Sequence, residues 1–285
     1  GTGHTVVSVP PQNAATATSF VPRGAVARSV TTRRPRNAPG AVALSATTRR
    51  PQNAPGLLYV DERCINCQTC RWMAPETFTL EEGKSAVTKQ PDTPAALAEA
   101  LMAAPACPTG SIRVDKARAK ESPLDVDQAA ARDAFPAEVS HDVYHLGFHS
   151  PKSFGATSWL VRQGDLNIVV DAPRYNSKLG AAVERLCGGA PDLMLLTHMD
   201  DVADHNEWKA RWPSMTRVMH AADIHGPDHW PHVDMRSVEL QISADATLAP
   251  GVEAISTPGH SRGSLCFLVG DNLFTGDHLA YVAHL

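Results

Sequence analysis

The first 60 residues of this 285-residue chain contain no aspartate, glutamate or lysine. Seven of the 26 basic residues are arginines of this segment, whereas all 30 acidic residues follow it, beginning with Asp61. The segment has almost no aromatic residues and lacks the apolar block of roughly seven to fifteen residues that a secretory signal contains. It therefore cannot bury enough apolar surface to fold. Since an acid-free composition rich in Ser, Thr and Arg is typical of organellar targeting, we predict that residues 1–56 are a disordered transit peptide.

Two alternatives for this leader are a plain disordered tail and a basic arm that binds nucleic acid. Such an arm has Lys and Arg clusters with interleaved aromatic residues, which the leader lacks, so we expect no nucleic-acid partner. The sequence of residues 31–40 recurs with one change at residues 47–56, which is typical of low-complexity drift. The transit-peptide interpretation places the protein in the chloroplast stroma or, alternatively, in the mitochondrial matrix. No apolar run approaches the roughly 18 residues of a membrane-spanning helix, so we expect no membrane partner.

The six cysteines do not have the distribution of a disulfide-bonded protein. Cys64, Cys67 and Cys70 form a C-x2-C-x2-C motif, and Cys107 stands next to Pro108. Thiolates at the first spacing converge on one iron-sulfur cluster, and a distant Cys-Pro supplies the fourth ligand. Zinc sites instead usually pair two separated C-x2-C motifs. We therefore predict a 4Fe-4S cluster bound by these four cysteines, with a 3Fe-4S cluster, zinc and free thiols as alternatives.

The sequence around the cysteines predicts a small domain of βαβ type. Its hairpin is expected to turn at Gly83, and its helix is expected to be capped by Asp92. Residues 57–117 resemble a bacterial-type ferredoxin with a single cluster, which implies a 4Fe-4S cluster, a reducing compartment and an electron-transfer partner. A polar, alanine-rich stretch follows over 118–137, and we predict that it is a linker. The predicted elements are strands within 57–64 and 111–116, a hairpin over 78–88 and a helix over 92–105.

The second part of the chain, residues 138–285, alternates short predicted strands with helices. Side chains of metal-ligand type collect at the ends of these strands. A helix that begins at Ala203 places Asp201 on one face with Asp204 and His205. Because so many neighbouring carboxylates repel one another unless cations are near, the pattern predicts a binuclear metal site. Its candidate ligands are His198, Asp200, Asp201, Asp204, His205, His260 and Asp277.

These motifs resemble the metallo-β-lactamase superfamily, in its glyoxalase-II-like branch, over about residues 141–285. The resemblance implies an αββα sandwich. It matches Asp171 to an aspartate that orients the site without binding metal. It matches His260 to the histidine of the motif T-P-G-H-S-R-G-S, and Asp277 to the aspartate that bridges two metals. The family's fifth motif, a further histidine, has no match before Leu285, so the resemblance implies that the C-terminal part of the sandwich is missing.

The second motif of that family, H-x-H-x-D-H, is two residues longer in this chain. His198 matches its first histidine and the pair Asp204 and His205 matches its end, and the resemblance gives Asp204 the role of orienting the attacking hydroxide. No histidine stands at the intermediate place, so either Asp200 or Asp201 takes it or the position is empty. A carboxylate there is a harder ligand, which favours iron or manganese over zinc.

The sequence leads to three hypotheses for function. The first is an iron-sulfur-containing hydrolase in which one or two divalent metals, zinc or iron, activate water against an ester, thioester or lactone. The second is a di-iron oxidoreductase fed by the ferredoxin domain, which the acidic second motif favours, although no flavin module is visible. The third is a non-catalytic redox or binding protein with a degenerate metal site. The predicted fold is α+β in all three, and both enzymes imply a small-molecule substrate.

Overall fold

The computed structural model describes residues 48–225 and 233–279. The first domain consists of two strand pairs and two helices, which are β1 (Leu58–Val60), α1 (Thr69–Met73), β2 (Phe78–Glu81), β3 (Lys84–Val87), α2 (Pro94–Ala106) and β4 (Ile112–Val114). β1 and β4 pair antiparallel, as do β2 and β3. The hairpin turns at Gly83, whose φ of 76° suits a residue without a side chain. The predicted strand pair and hairpin are therefore confirmed.

Helix α2 contributes the centre of the first domain's core. Leu97 and Leu101 are buried there among apolar side chains of β1, α1 and β2. The Thr93 hydroxyl accepts a hydrogen bond of 3.2 Å from the Ala96 N–H, and a proline occupies the first helical position. The cap is thus Thr93, and the prediction of Asp92 was one residue early. Neither α2 nor any other helix in the described ranges has the length and apolar character that a bilayer span requires.

Residues 48–56 of the leader are folded, which the sequence did not predict. Residues 48–56 pack on the first domain, although we predicted disorder over all of 1–56. The buried guanidinium of Arg50 donates hydrogen bonds of 2.7 and 2.9 Å to backbone carbonyls of β3 and β2. The side-chain amide of Asn53 bonds backbone groups of β1 and β3. Polar side chains rather than apolar area therefore hold this segment, and the transit-peptide prediction for residues 1–47 lies outside the described residues.

The stretch predicted as a linker, residues 118–137, is folded. It contains most of α3 (Lys116–Glu121) and all of α4 (Gln128–Asp133). Ala131 of α4 is buried in the core of the first domain, where α4 packs on α2. The Asp127 carboxylate accepts two backbone N–H groups of the first turn and caps α4. The alanines that suggested a featureless linker are also the strongest helix formers.

The part of the second domain that the structure describes contains a seven-stranded sheet and a four-stranded sheet. The strands of the larger sheet are β5 (Ala137–Ser140), β6 (Val143–His145), β7 (Trp159–Gln163), β8 (Leu166–Val170), β9 (Leu193–Leu195), β10 (Thr216–His220) and β11 (Leu240–Ile242). They lie side by side in the order β11-β10-β9-β8-β7-β6-β5, with β8 to β11 parallel and the rest antiparallel. The smaller sheet is antiparallel and consists of β12 (Ala246–Ala249), β13 (Val252–Ser256), β14 (Leu265–Val269) and β15 (Asn272–Phe274).

Successive side chains of the larger sheet point to opposite faces and so contribute to two apolar cores. On one face, Leu160 and Met194 pack with helices α5 (Ser177–Cys187), α6 (His205–Arg211) and α7 (Ala221–His225). On the other face, Val161 and Leu195 pack with the smaller sheet. The described part of the domain is therefore a helix-sheet-sheet sandwich, and the predicted α+β fold is confirmed.

The two domains pack on each other through the segment between β6 and β7. We call this segment, residues 147–155, the bridging loop; it contains a 3₁₀ turn (Pro151–Ser153). Gly155 of the loop lies against Cys67 of the first domain. Nearby, Arg174 donates hydrogen bonds of 3.3 Å to the backbone carbonyls of Pro105, in the last turn of α2, and Pro108, two residues after the helix. The surroundings of the cysteines therefore include residues of the second domain.

Candidate iron-sulfur and metal sites

The four cysteines predicted to bind a cluster line one cavity in the first domain. Cys64, Cys67 and Cys70 come from α1 and the loop before it, and Cys107 follows the last residue of α2. The loop is tight because Asn66 has a positive φ of 59°, a conformation that asparagine tolerates better than most residues. The structure thus brings together the four side chains that the motif predicts.

Hydrogen-bond partners surround the sulfurs of this cavity. The Ser111 N–H donates to Cys107 Sγ at 3.2 Å, and the Cys67 thiol donates to the Thr69 hydroxyl oxygen at 3.3 Å. Burial raises the pKa of the Cys70 thiol to about 12, so a thiolate at that position needs a bound cation to compensate its charge. A Cys67 thiolate can only accept, so the Thr69 hydroxyl would then donate to it, and four thiolates with such partners are the environment of an iron-sulfur cluster. The residues present therefore fit a 4Fe-4S cluster.

Side chains from three strand ends of the second domain converge on another site. Three of these side chains follow β9, a fourth lies in the loop between β13 and β14, and a fifth follows β15. Their ligand atoms form two overlapping groups in which all atoms lie within 4.8 Å of one another. The first group is His198, Asp200 and His260, and the second is His198, Asp201 and Asp277.

The charges and the one unpaired nitrogen of this site fit a metal cation. Asp277 Oδ2 lies 3.6 Å from His260 Nε2 and 3.8 Å from His198 Nε2, between the two imidazoles. Asp200 Oδ2 is 3.1 Å from His260 Nε2, and this hydrogen bond raises the pKa of His260. Within the described ranges, the buried Nε2 of His198 has no hydrogen-bond partner. A buried imidazole nitrogen without a partner, beside several carboxylates, is what a metal ligand requires.

Asp171 contacts His198 indirectly, through the hydroxyl of Thr197. The Asp171 carboxylate accepts hydrogen bonds from the backbone N–H and the hydroxyl of Thr197, at 2.8 and 3.0 Å. The same hydroxyl is 3.0 Å from His198 Nδ1. Burial, together with the nearby charge of Asp201, raises the pKa of Asp171 well above its usual range. A Cβ on Gly276 would lie 2.5 Å from the Thr197 hydroxyl, so this close packing requires a glycine.

Asp223 of α7 is a supporting residue that the sequence did not reveal. Its carboxylate accepts the N–H of Met199 at 3.0 Å, the hydroxyl of Ser261 at 2.6 Å and the N–H of Gly263 at 2.7 Å. It therefore ties the loop after β9 to the loop that carries His260. The motif that contains His260 includes the two donors, Ser261 and Gly263, but the sequence does not show that Asp223 of α7 accepts their hydrogen bonds.

Two predicted ligands, Asp204 and His205, lie outside both ligand groups. Asp204 Oδ1 is 2.6 Å from Lys152 Nζ, and its Oδ2 accepts the Tyr175 N–H at 2.7 Å. His205 is buried, with Nδ1 2.9 Å from the Arg217 guanidinium, and within the described residues its Nε2 has no hydrogen-bond partner. The structure does not bring these two residues together with the other candidate ligands, so their ligand roles and the catalytic role of Asp204 stay predictions.

The start of α6 explains this difference. We predicted a helix from Ala203, which places Asp201 on one face with the two residues that follow. In the structure α6 begins at His205, and Ala203 has a left-handed φ of 30°. The backbone turn before the helix separates Asp201 from Asp204. Asp201 therefore joins the metal group, whereas Asp204 meets the bridging loop.

The solved structures that are similar to this chain include several metallo-β-lactamases. The B3 metallo-β-lactamase BLEG-1 has a TM-score of 0.41 and 18% identity, over 49% of this chain and 73% of that one. The Rm3 metallo-β-lactamase has a TM-score of 0.34 and 20% identity, over 44% of this chain and 52% of that one.

Two curated sequences and one protein family also match. Hydroxyacylglutathione hydrolases of Xanthomonas axonopodis pv. citri (strain 306) and Xanthomonas euvesicatoria pv. vesicatoria (strain 85-10) are 30% identical over 123 residues and 29% over 119. The matches cover 42% and 39% of this chain but only 45% and 41% of the relatives, so the chain spans less than half of their length. Residues 60–114 match the family described as the 4Fe-4S single cluster domain of Ferredoxin I. The chain therefore contains a single-cluster ferredoxin domain at residues 60–114 and is similar, over part of its length, to hydroxyacylglutathione hydrolases.

Proposed function

We propose that this protein is an iron-sulfur-containing, metal-dependent hydrolase of a small-molecule ester, thioester or lactone. Its cofactors are a 4Fe-4S cluster at the four cysteines and one or two divalent ions, zinc or iron, in the second domain. The name of the curated relatives makes a glutathione thioester the first substrate to test. The observation that carries the proposal is the convergence of five side chains on one site, namely His198, Asp200, Asp201, His260 and Asp277.

Divalent ions bound there supply a water of lowered pKa and polarise the substrate carbonyl. The chain's own residues set the arrangement of the site. His198 belongs to both ligand groups, and Asp277 lies between the two imidazoles, so these two side chains are placed to be shared. Asp171 engages Nδ1 of His198 through Thr197, which leaves Nε2 facing Asp277.

Substitution of His260 and Asp277 in the full-length chain tests the proposal. We expect His260→Ala and Asp277→Asn each to lower kcat/KM for thioester hydrolysis by more than about 100-fold, because they remove ligands rather than outer supports. The metal content of the second site should fall while the visible absorbance of the cluster is unchanged. His141→Ala is the control, since that side chain is 94% exposed. Unchanged turnover in both variants would contradict the assignment.

A di-iron oxidoreductase is the second candidate, and the chemistry of the ligand set favours it. Three carboxylates and two imidazoles form a hard set that suits iron better than zinc. Metal analysis after anaerobic purification separates the candidates. Two zinc ions beside the cluster iron support hydrolysis, whereas two further irons with dioxygen reduction support redox chemistry. Cluster iron alone contradicts both and supports a non-catalytic protein.

We also propose the chloroplast stroma as the location, with the mitochondrial matrix as the alternative. The support is the acid-free, arginine-containing composition of the first 47 residues. A fusion of residues 1–47 to a fluorescent protein in plant cells tests this proposal. Import into plastids is expected, import into mitochondria supports the alternative, and a cytosolic signal would overturn both.

A further inference from the structure

The bridging loop brings a buried histidine close to the cysteine cavity. His149 is fully buried, and its Nδ1 lies 3.0 Å from the hydroxyl oxygen of Thr69. That hydroxyl in turn lies 3.3 Å from Cys67 Sγ. Gly155 of the same loop is so close that a Cβ on it would lie 2.5 Å from the Cβ of Cys67. The loop lies outside the ferredoxin match at residues 60–114, so the second domain completes the surroundings of this cysteine.

The contacts of His149 determine where its ring carries hydrogen. Nδ1 lies 2.9 Å from the carbonyl oxygen of Gly155, and since a carbonyl only accepts, Nδ1 is protonated. Complete burial lowers the pKa of His149 to about 4, so the ring is neutral near pH 7 and its Nε2 carries no hydrogen. Nε2 of His145 lies 2.8 Å from Nε2 of His149 and is therefore the donor to it.

These assignments give the hydrogen bonds one direction. The N–H at Nδ1 of His149 is shared between the Gly155 carbonyl and the oxygen of Thr69. In the structure the Cys67 thiol donates to the Thr69 oxygen. An iron-bound Cys67 thiolate carries no hydrogen and can only accept, and since the Thr69 hydroxyl accepts from His149, its single hydrogen is then available to the Cys67 sulfur. Donors therefore point in sequence from His145 to His149, from His149 to Thr69, and from Thr69 to the sulfur.

We propose that His149, acting through Thr69, is a positioning residue that raises the reduction potential of the cluster. A low-potential one-electron donor adds one electron to the cluster, and part of the added negative charge lies on Cys67 Sγ. A hydrogen bond from Thr69 is stronger to this more negative sulfur, so it stabilises the reduced cluster over the oxidised one. No proton is transferred in this step. The proposal depends on a cluster at the cysteines and not on hydrolysis, so the two can fail separately.

Redox titration of the full-length protein tests the role of Thr69. The protein is titrated with dithionite in the presence of mediators, and the reduced cluster is followed by electron paramagnetic resonance. Thr69→Val removes the hydroxyl but keeps the branched shape, and it should shift the midpoint potential to a more negative value. Thr69→Ser retains the hydroxyl and should keep the midpoint of the unmodified protein. Thr79→Val removes a hydroxyl that bonds Thr88 and Glu81, away from the cysteine cavity, and serves as the control.

A double-variant cycle tests whether His149 acts through Thr69. His149→Leu should shift the midpoint in the same direction, and the combination with Thr69→Val should shift it no further than Thr69→Val alone. Shifts that add in the combined variant would overturn the proposal, as would a midpoint for Thr69→Val equal to that of Thr79→Val. If His149→Leu loses its cluster, His149→Gln decides this step, because its side-chain N–H should preserve the original midpoint. A midpoint for His149→Gln equal to that of Thr69→Val would then overturn the role of His149.

Discussion

The two candidate metal-binding regions differ in how their candidate ligands are spread along the chain. Cys64, Cys67 and Cys70 lie within seven consecutive residues, and the end of one helix adds the fourth cysteine. In the second domain, His198, His260 and Asp277 come from loops that follow three different strands. Local backbone geometry places the first set, whereas the pairing of strands and the hydrogen bonds between loops place the second. When the ligands are close together in the sequence, the motif identifies them directly. When they are dispersed along the chain, the sequence indicates only candidate ligands.

The two regions are also in physical contact. At one end of the bridging loop, Gly155 packs on Cys67. Within the loop's 3₁₀ turn, the Ser153 hydroxyl accepts the N–H of Ala203 at 3.0 Å, and Lys152 pairs with Asp204. One short segment thus touches a predicted cluster ligand and the turn that follows the candidate metal ligands Asp200 and Asp201. The separate sequence motifs belong to one continuous structure.

Among the residues that support the two regions without being candidate ligands, the largest effect is expected from Asp223, which ties together two loops of the distributed site. Asp223→Ala removes the acceptor of three hydrogen bonds that join two ligand-bearing loops. We expect the metal affinity of the second domain to fall by about 10- to 100-fold, the range typical of outer supports, with the cluster absorbance unchanged. Competition with a chelator measures this affinity.

Asp234→Ala is the matched control for that experiment. Asp234 is exposed, and its carboxylate likewise accepts a backbone N–H, that of Arg236, at 3.0 Å. It should bind metal as the unmodified protein does. If Asp223→Ala also binds metal with unchanged affinity, the sheets alone hold the loops in place, and the contrast between the two regions is smaller than the structure indicates.

A smaller effect tests the contact between the domains. Gly155 has a φ of 89°, and a Cβ there would lie 2.5 Å from the Cβ of Cys67. Gly164 has a φ of 60° with nothing within 4 Å of such a Cβ. Both alanine variants carry backbone strain, but only Gly155→Ala adds a clash, which typically costs about 1–3 kcal/mol. Urea unfolding should show Gly155→Ala to be less stable than Gly164→Ala by that amount, and its cluster iron should be lower. Equal stabilities would contradict direct packing on Cys67.

The smallest effect is expected at Asp204, which the sequence predicts as a ligand and which lies outside both ligand groups of the structure. Its carboxylate is occupied by Lys152 and by the Tyr175 N–H. Asp204→Asn should therefore lower kcat/KM for hydrolysis by less than about tenfold, below the range of outer supports. The lost ion pair with a half-exposed lysine should cost about 1 kcal/mol or less of unfolding free energy. Lys152→Met should match this stability loss. A loss of turnover comparable to that of Asp277→Asn would return Asp204 to the metal site.

Most elements of the fold were predictable because their signals are local. A Gly turn between two short strands gives the hairpin at Gly83, and glycine at position 188 ends α5 with a φ of 72°. The folded segment 48–56 was missed because Arg50 and Asn53 are held by backbone groups of strands far along the chain. Composition shows that such residues are polar and gives no indication of distant acceptors.

The second site was predictable only as a set of candidates. His198, His260 and Asp277 each stand at a strand end, where polar side chains of a sandwich meet. The choice among the neighbouring aspartates depended on one backbone angle, the φ of 30° at Ala203. The role of Asp223 could not be predicted, because it depends on three hydrogen-bond donors from two loops that are distant in the sequence. The residues next to Asp223 in the sequence form no recognisable motif.

The sequence by itself determined the cysteine site, the two-domain order and the set of candidate metal ligands, since spacing and residue chemistry act over a few neighbouring positions. Only the tertiary structure decided that Asp201 and not Asp204 joins His198, that Asp223 ties the ligand loops, and that His149 reaches the cysteine site. The physical reason is the same in each case. These contacts connect residues that are distant in the chain, and the packing of the sheets and the bridging loop sets the distances between them.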